Sequence, residues 1–228
     1  MDINKSLEVL SEKYSVNKNV VIDNDSVVVD GKKMPFMPWR AERRFIEFKN
    51  LADGEFVKGI STMRVCHIDN TQKDLFDIFY READICEWVL DTKIKEIFAI
   101  KNDKALNVIA KTDKEYICTF ELATTLKPTD NVIDKHEIIA QKGVICDRAV
   151  DTQVPQSSIY IFGSDGNRET YTDVDAELFG LNVLDCARVR AAFEIAKSNL
   201  DLTQSAKHLS DVVNAAKKSV DTLENIIL

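Results

Sequence analysis

The chain has 228 residues, 45% of them hydrophobic, and a formal net charge of −8, which is enough apolar material for one large domain or two small ones with a real core. The acidic balance opposes a phosphate backbone and argues against nucleic acid as a partner. No run of about 18 apolar residues occurs, and the first residues lack the basic and apolar segments of a secretory signal, so a soluble, cytoplasmic chain with no membrane partner is expected.

Ile3, Leu7 and Leu10 stand at helical spacing and predict a first helix. Val20 to Ile22 and Val27 to Val29 flank Asp23-Asn24-Asp25-Ser26, which predicts a tight hairpin, and Asp30-Gly31 signals a further turn. The prolines of MPFMPW keep Pro35 to Pro38 out of any helix interior or central strand, so a connector is expected there. Arg40, Arg43 and Arg44 begin a short helix, WRAERRFIEFKNLADG, and read as a solvated face. Phe56 to Ile68 alternates as a strand, and Leu75, Phe79, Ile85 and Val89 repeat as a helix over Lys73 to Leu90.

From Lys93 the period becomes two. Ile94, Glu96 and Phe98 oppose Lys95, Ile97 and Ala99, and Tyr116, Cys118, Phe120 and Leu122 oppose Ile117, Thr119, Glu121 and Ala123, the mark of strands with one buried face. The polar links between these runs are too short for parallel crossovers, so antiparallel hairpins are expected. Past the turn cluster Gly163-Ser164-Asp165-Gly166-Asn167, a helix is predicted over about Leu181 to Leu200. A second carries Leu202, Ala206, Leu209, Val213, Ala216, Val220, Leu223 and Ile227 at alternating spacings of four and three. That heptad stripe suits either a cover for the chain's own core or a seam with a second subunit. The expected fold is α+β: a large, mainly antiparallel open sheet with helices on one face, an N-terminal helix and hairpin (1–38), a sheet-rich domain (39–200) and a C-terminal amphipathic helix (201–228) that completes a helical pair.

No glycine-rich loop of the kind that cradles pyrophosphate occurs, so no cofactor is expected. His67, His136 and His208 show no paired-ligand spacing; no metal is expected, and the three read as core or surface histidines. The five cysteines form no CxxC pair and read as reduced thiols, with Cys118 and Cys146 in the sheet core. There is no GxSxG elbow, and no catalytic residue is assigned.

In DIFYREAD, offsets of four and seven put Asp77, Arg81 and Asp84 on one helix face, an intrahelical ion ladder in its plainest reading. This segment resembles the Gfo/Idh/MocA-type sugar and polyol dehydrogenases, whose C-terminal domain opens with paired glycines and D-x-x-x-H-x-x-D on its first helix. Asp77 and Asp84 match the two aspartates and ICEWVL the apolar helix end; Arg81 stands at the histidine, and Gln72 and Lys73 replace the glycines. KIKEIFAI, ALNVIAK and EYICTFELA look like successive strands of the family's open sheet, and DKHEIIAQKGVICD like its next strand pair, so the likeness covers roughly Phe45 to Leu200.

The resemblance implies a substrate-type domain that packs against another subunit through its open sheet face. The family's Rossmann domain, with its glycine fingerprint and E-K-P lysine, has no counterpart among these residues, and an arginine in place of histidine stays charged and cannot shuttle a proton. Three functions follow as expectations. One is a non-catalytic, stand-alone domain that homo-oligomerises and binds a small polar, sugar-like or polyol-like ligand. The second is the substrate-binding subunit of a dehydrogenase whose Rossmann subunit is separately encoded, with Arg81 forking onto an anionic substrate. The third is a scaffold or regulatory protein that dimerises through its last helix. A ligand is expected near Asp77, Arg81, Asp84, His136, Arg148, Asp151 and Gln153; for Arg148 and Asp151 an exposed ion pair is the plainer reading.

Overall fold

The computed structural model of the chain describes residues 2–54, 57–71, 73–147 and 180–228, and the backbone of 160–163 and 166–169. In chain order the described elements are α1 (Ile3–Lys13), β1 (Val20–Asp23), β2 (Ser26–Val29), β3 (Lys32–Met34), a 3-10 turn (Pro38–Ala41), α2 (Arg43–Asp53), β4 (Ile60–Ile68), α3 (Leu75–Leu90), β5 (Ile94–Lys101), β6 (Ala105–Thr112) and β7 (Ile117–Ala123). They continue with β8 (Ile133–Ala140), β9 (Gly143–Cys146), β10 (Tyr160–Gly163), β11 (Gly166–Glu169), α4 (Val183–Ser198), α5 (Thr203–Thr222) and β12 (Ile226–Ile227). They fall into two compact units, Met1–Ile46 with Asp173–His208, and Glu47–Thr172 with Leu209–Leu228.

In the first unit the Asp2 carboxylate caps α1 and Leu7 on its inner face is fully buried. β1, β2 and β3 form an antiparallel sheet. Asp30 and Gly31 join β2 to β3 with both φ angles positive, at 49° and 80°, the backbone that a two-residue hairpin of matching twist requires. Asn4 ties α1 to β1 by pairing with both the N–H and the carbonyl of Ile22, at 2.8 and 3.3 Å. On α4, Phe193 meets Tyr14 with ring centroids 5.4 Å apart.

The second unit is built on a nine-stranded sheet of order β11-β10-β9-β8-β4-β7-β6-β5-β12. The short links do make β5, β6 and β7 antiparallel neighbours, while β4 pairs parallel with β7 at the sheet centre, the intervening α3, β5 and β6 serving as the crossover. One face is apolar: Met63, Val65, Ile97, Ala99, Val108, Phe120 and Ile138 are buried there. α3 packs on that face, with Phe79 edge-on to Phe120 at 5.2 Å. All five cysteines are free, and Cys86, Cys118 and Cys146 are buried; burial and the neighbouring Cys118 push the Cys86 thiol well above its ordinary range, which suits packing rather than nucleophilic attack.

The final helix is shorter than its stripe predicts. It stops at Thr222, Leu223 turns left-handed (φ 56°) and stands 66% exposed, and Ile226 pairs with Ile97 to cap the edge of β5. Beyond that pairing, Ser219 covers the next edge group: its hydroxyl accepts from Ala99 N–H at 2.9 Å and donates to the Glu224 carbonyl at 2.7 Å. Leu209, Val213 and Ala216 are buried within the chain, so this part of the stripe covers its own core.

Candidate functional site

The strand pleat brings the polar residues together. On β4 the inward row is Met63, Val65, His67; on β8 it is Asp134, His136, Ile138; and the antiparallel register sets Val65 opposite His136 and His67 opposite Asp134. Asp147 follows β9 and closes on His136, whose N–H donates to Asp147 Oδ1 at 2.6 Å. Above this corner α3 supplies Arg81 and Glu82, its first turn capped by Asp74 accepting from Phe76 N–H at 2.8 Å.

Glu82 is the hub. Oε1 lies 2.8 Å from His67 Nδ1 and also takes Arg81 Nη1; Oε2 lies 2.8 Å from His136 Nε2. Arg81 spends its second arm on Asp134 Oδ2 at 3.0 Å. His136 Nδ1 faces Asp147 Oδ2 at 3.2 Å, so both ring nitrogens point at carboxylates, and Phe48 covers the ring edge-on at 6.3 Å. Asp134 Oδ1 is 3.8 Å from His67 Nδ1 and 3.6 Å from His136 Nε2. His67 Nε2 is buried with no hydrogen-bond partner, and Asp69 Oδ2 is 3.6 Å away.

Burial alone would lower the His136 pKa, but the charge of Asp134 and the hydrogen bonds to Asp147 and Glu82 outweigh it and hold it at about 9, an imidazolium at neutral pH. Burial pushes the Glu82 carboxyl up, and the Arg81 guanidinium, with help from His136, brings it below the usual carboxylate range. Asp69 is likewise desolvated, yet the Thr71 hydroxyl and N–H hold it low.

Of the residues expected to bind a ligand, the described ones fall in different surroundings. Arg81 and His136 belong to the cluster. Asp77 stands exposed in the first turn of α3 and Asp84 is fully buried further along it, so helical spacing alone does not give the two the same surroundings. Arg148, Asp151 and Gln153 lie outside the described residues. His67, a core or surface histidine by sequence, and Glu82, Asp134 and Asp147 carry no local sign of a shared cluster, since 13 to 80 residues separate them along the chain; the available signal is a histidine at an inward position of each of two alternating strands. His67, Glu82 and Asp134 each offer one atom within 4.8 Å of the others, a spacing compatible with a metal ion. A surface cleft of about 750 Å³ lies instead in the first unit, lined by residues such as Asn4, Glu8 and Lys18.

No known family model matches the chain. No curated protein matches it in sequence. Solved structures do match in fold. A levoglucosan dehydrogenase in complex with NADH and levoglucosan superposes with a TM-score of 0.68 at 13% identity, over 86% of this chain and 66% of that one. An oxidoreductase domain protein from Kribbella flavida gives 0.67 at 12% identity, over 85% and 66%. A myo-inositol 2-dehydrogenase from Lactobacillus plantarum gives 0.62 at 13% identity, over 84% and 63%. The chain thus carries the fold of the Gfo/Idh/MocA-type oxidoreductases, as DIFYREAD and the strand pattern imply, and spans less than two thirds of those proteins' length.

Proposed function

We propose that the chain is a non-catalytic, oxidoreductase-like domain whose open sheet face joins it to further copies of itself. The observation that carries this reading is the outer face of the sheet. Phe98, Ile109, Thr119, Arg64 and Glu137 form one cross-strand row on it, with Ile100, Ile109 and Ile117 at 55%, 53% and 37% exposure. Exposed apolar side chains grouped on one sheet face mark an association surface. Arg64 donates to Glu137 at 3.0 Å within the row, leaving a polar rim beside the isoleucines.

The non-catalytic part rests on Arg81. At the position of the family histidine it is permanently charged, and its arms are engaged by Glu82 and Asp134, so it neither shuttles a proton nor offers a free fork to a substrate. In this reading the assembled protein binds a small polar, sugar-like or polyol-like ligand. The second reading, a substrate subunit completed by a separate Rossmann subunit, is favoured by the NADH-bound levoglucosan dehydrogenase, of which this chain spans only part.

Light-scattering mass of the chain with Ile100→Lys and Ile109→Lys tests the proposal: the variant should fall to the 25.8 kDa monomer while the parent holds a multiple of it. Equal masses contradict it. A thermal-shift panel of NAD, NADP, sugars and polyols separates the readings, because a ligand at about a hundred times its Kd stabilises by about 2.7 kcal/mol; a response to NAD or NADP favours the second.

A further inference from the structure

In the second unit α3 and β7 meet along one buried line. Phe79 stands edge-on to Phe120 at 5.2 Å. Two helical turns further along α3, Cys86 reaches Cys118, two residues back along the inward row of β7. Both cysteines are fully buried, and their Sγ atoms are 2.8 Å apart.

Two unbonded thiols gain little from standing so close. Non-bonded heavy atoms prefer about 3.5–4.0 Å, and an S–H group is a weak donor facing a weak acceptor. A disulfide holds its sulfurs at about 2.05 Å, so closing the bond from this contact takes less than about 1 Å of movement shared between two side chains. The surroundings fix the pair from both sides. Cys118 lies in register between Ala110 of β6 and Met63 of β4, and the positions three before and three after Cys86 on α3 are the buried Ala83 and Val89.

The pleat also separates this pair from the other thiols. Cys66 alternates to the outer face of β4, between the inward Val65 and His67, and Cys146 stands in register with the outward Glu137. Cys186 belongs to the first unit. Cys86 and Cys118 are therefore the two cysteines of the second unit that share the layer between helix and sheet.

We propose that Cys86 and Cys118 are a disulfide site, closed by exchange with a low-molecular-weight disulfide, which bolts α3 to β7 when the chain folds under oxidising conditions. The exchange takes place on the open chain, where both thiols meet solvent; in the folded chain burial holds the Cys86 thiol protonated and a poor attacker. One cysteine thiolate attacks a sulfur of oxidised glutathione and expels one glutathione thiolate. The second cysteine thiolate attacks the protein sulfur of that mixed disulfide and expels the other glutathione. Two protein thiols lose two electrons, the glutathione disulfide gains them, and the two protons end on the two glutathione thiols. Folding then seals the bond away from reductants.

The test refolds the full chain from denaturant in mixtures of reduced and oxidised glutathione, blocks the remaining thiols with iodoacetamide under denaturing conditions, and reads mass and peptide map. In oxidising buffer two of the five thiols should escape alkylation, and the map should join the peptides of Cys86 and Cys118. The same count on chain that was never denatured, held in these buffers until it stops changing, keeps the test independent of refolding yield. A cross-link between residues 32 apart restricts the unfolded chain, so the oxidised form should melt about 5–10 °C above the reduced one. Cys118→Ser should keep all four of its thiols alkylated in the same buffer. Five alkylated thiols at every glutathione ratio in both preparations overturn the proposal, as does a bond mapped to any other pair. An oxidised chain that melts no higher than the reduced chain overturns it too, since the bond would then tie nothing.

Discussion

His136 Nε2 meets Glu82 Oε2 at 2.8 Å with both side chains sealed from solvent, so an ionised pair from β8 and α3 is held where water cannot replace either partner. Breaking such a pair from one side strands the other charge, at a cost of about 3–5 kcal/mol. Glu82→Gln should lose about that much in urea denaturation. A loss under about 1 kcal/mol would show the pair to be energetically idle.

Arg81 and Asp134 are both largely buried and share a 3.0 Å contact. Their removal should therefore be far from additive. In a cycle of Arg81→Met, Asp134→Asn and the double variant, a coupling of about 1–3 kcal/mol is expected. Additivity within the error of the unfolding curves would remove Arg81 from the cluster and return it to the substrate-binding role.

Ser219→Ala should cost about 1–3 kcal/mol, because it leaves the buried Ala99 N–H without its acceptor at the edge of β5. Amide hydrogen exchange at Ala99 is the specific readout. Unchanged protection there would mean that another group shields the edge.

The hairpins were legible because the strand period is local and Asp30-Gly31 has the turn chemistry its backbone needs. The parallel pairing of β4 with β7 was not, since the partners are separated by α3, β5 and β6 and only tertiary packing selects it. Leu223 and Ile227 kept the heptad spacing, yet the edge of β5 recruited Ile226 and ended the helix first. In the same way the site was half visible. Arg81 stood out by its place in the helix motif and His136 by its strand, whereas Glu82 beside Arg81 carries no local signal, and His67 meets Asp134 only through the β4–β8 register.

Acid should also act at the start of β5. The Thr92 hydroxyl and Lys93 N–H, at 2.5 and 3.0 Å, hold the Asp113 carboxyl below its ordinary range and tie the start of β5 to the turn after β6. A depressed folded pKa gives stability that is present above the unfolded value, about 3.9, and lost as pH falls through the folded one. Wild type should therefore exceed Asp113→Asn in melting temperature at neutral pH, with the gap closing below about pH 4. A gap independent of pH would assign the effect to packing.

Sedimentation velocity of the unmodified chain, over a concentration range of about 1–100 µM, bears most directly on the proposed association. The sheet-face account predicts a species at a multiple of 25.8 kDa that persists on dilution into the low micromolar range. A single 25.8 kDa monomer at every concentration would contradict it.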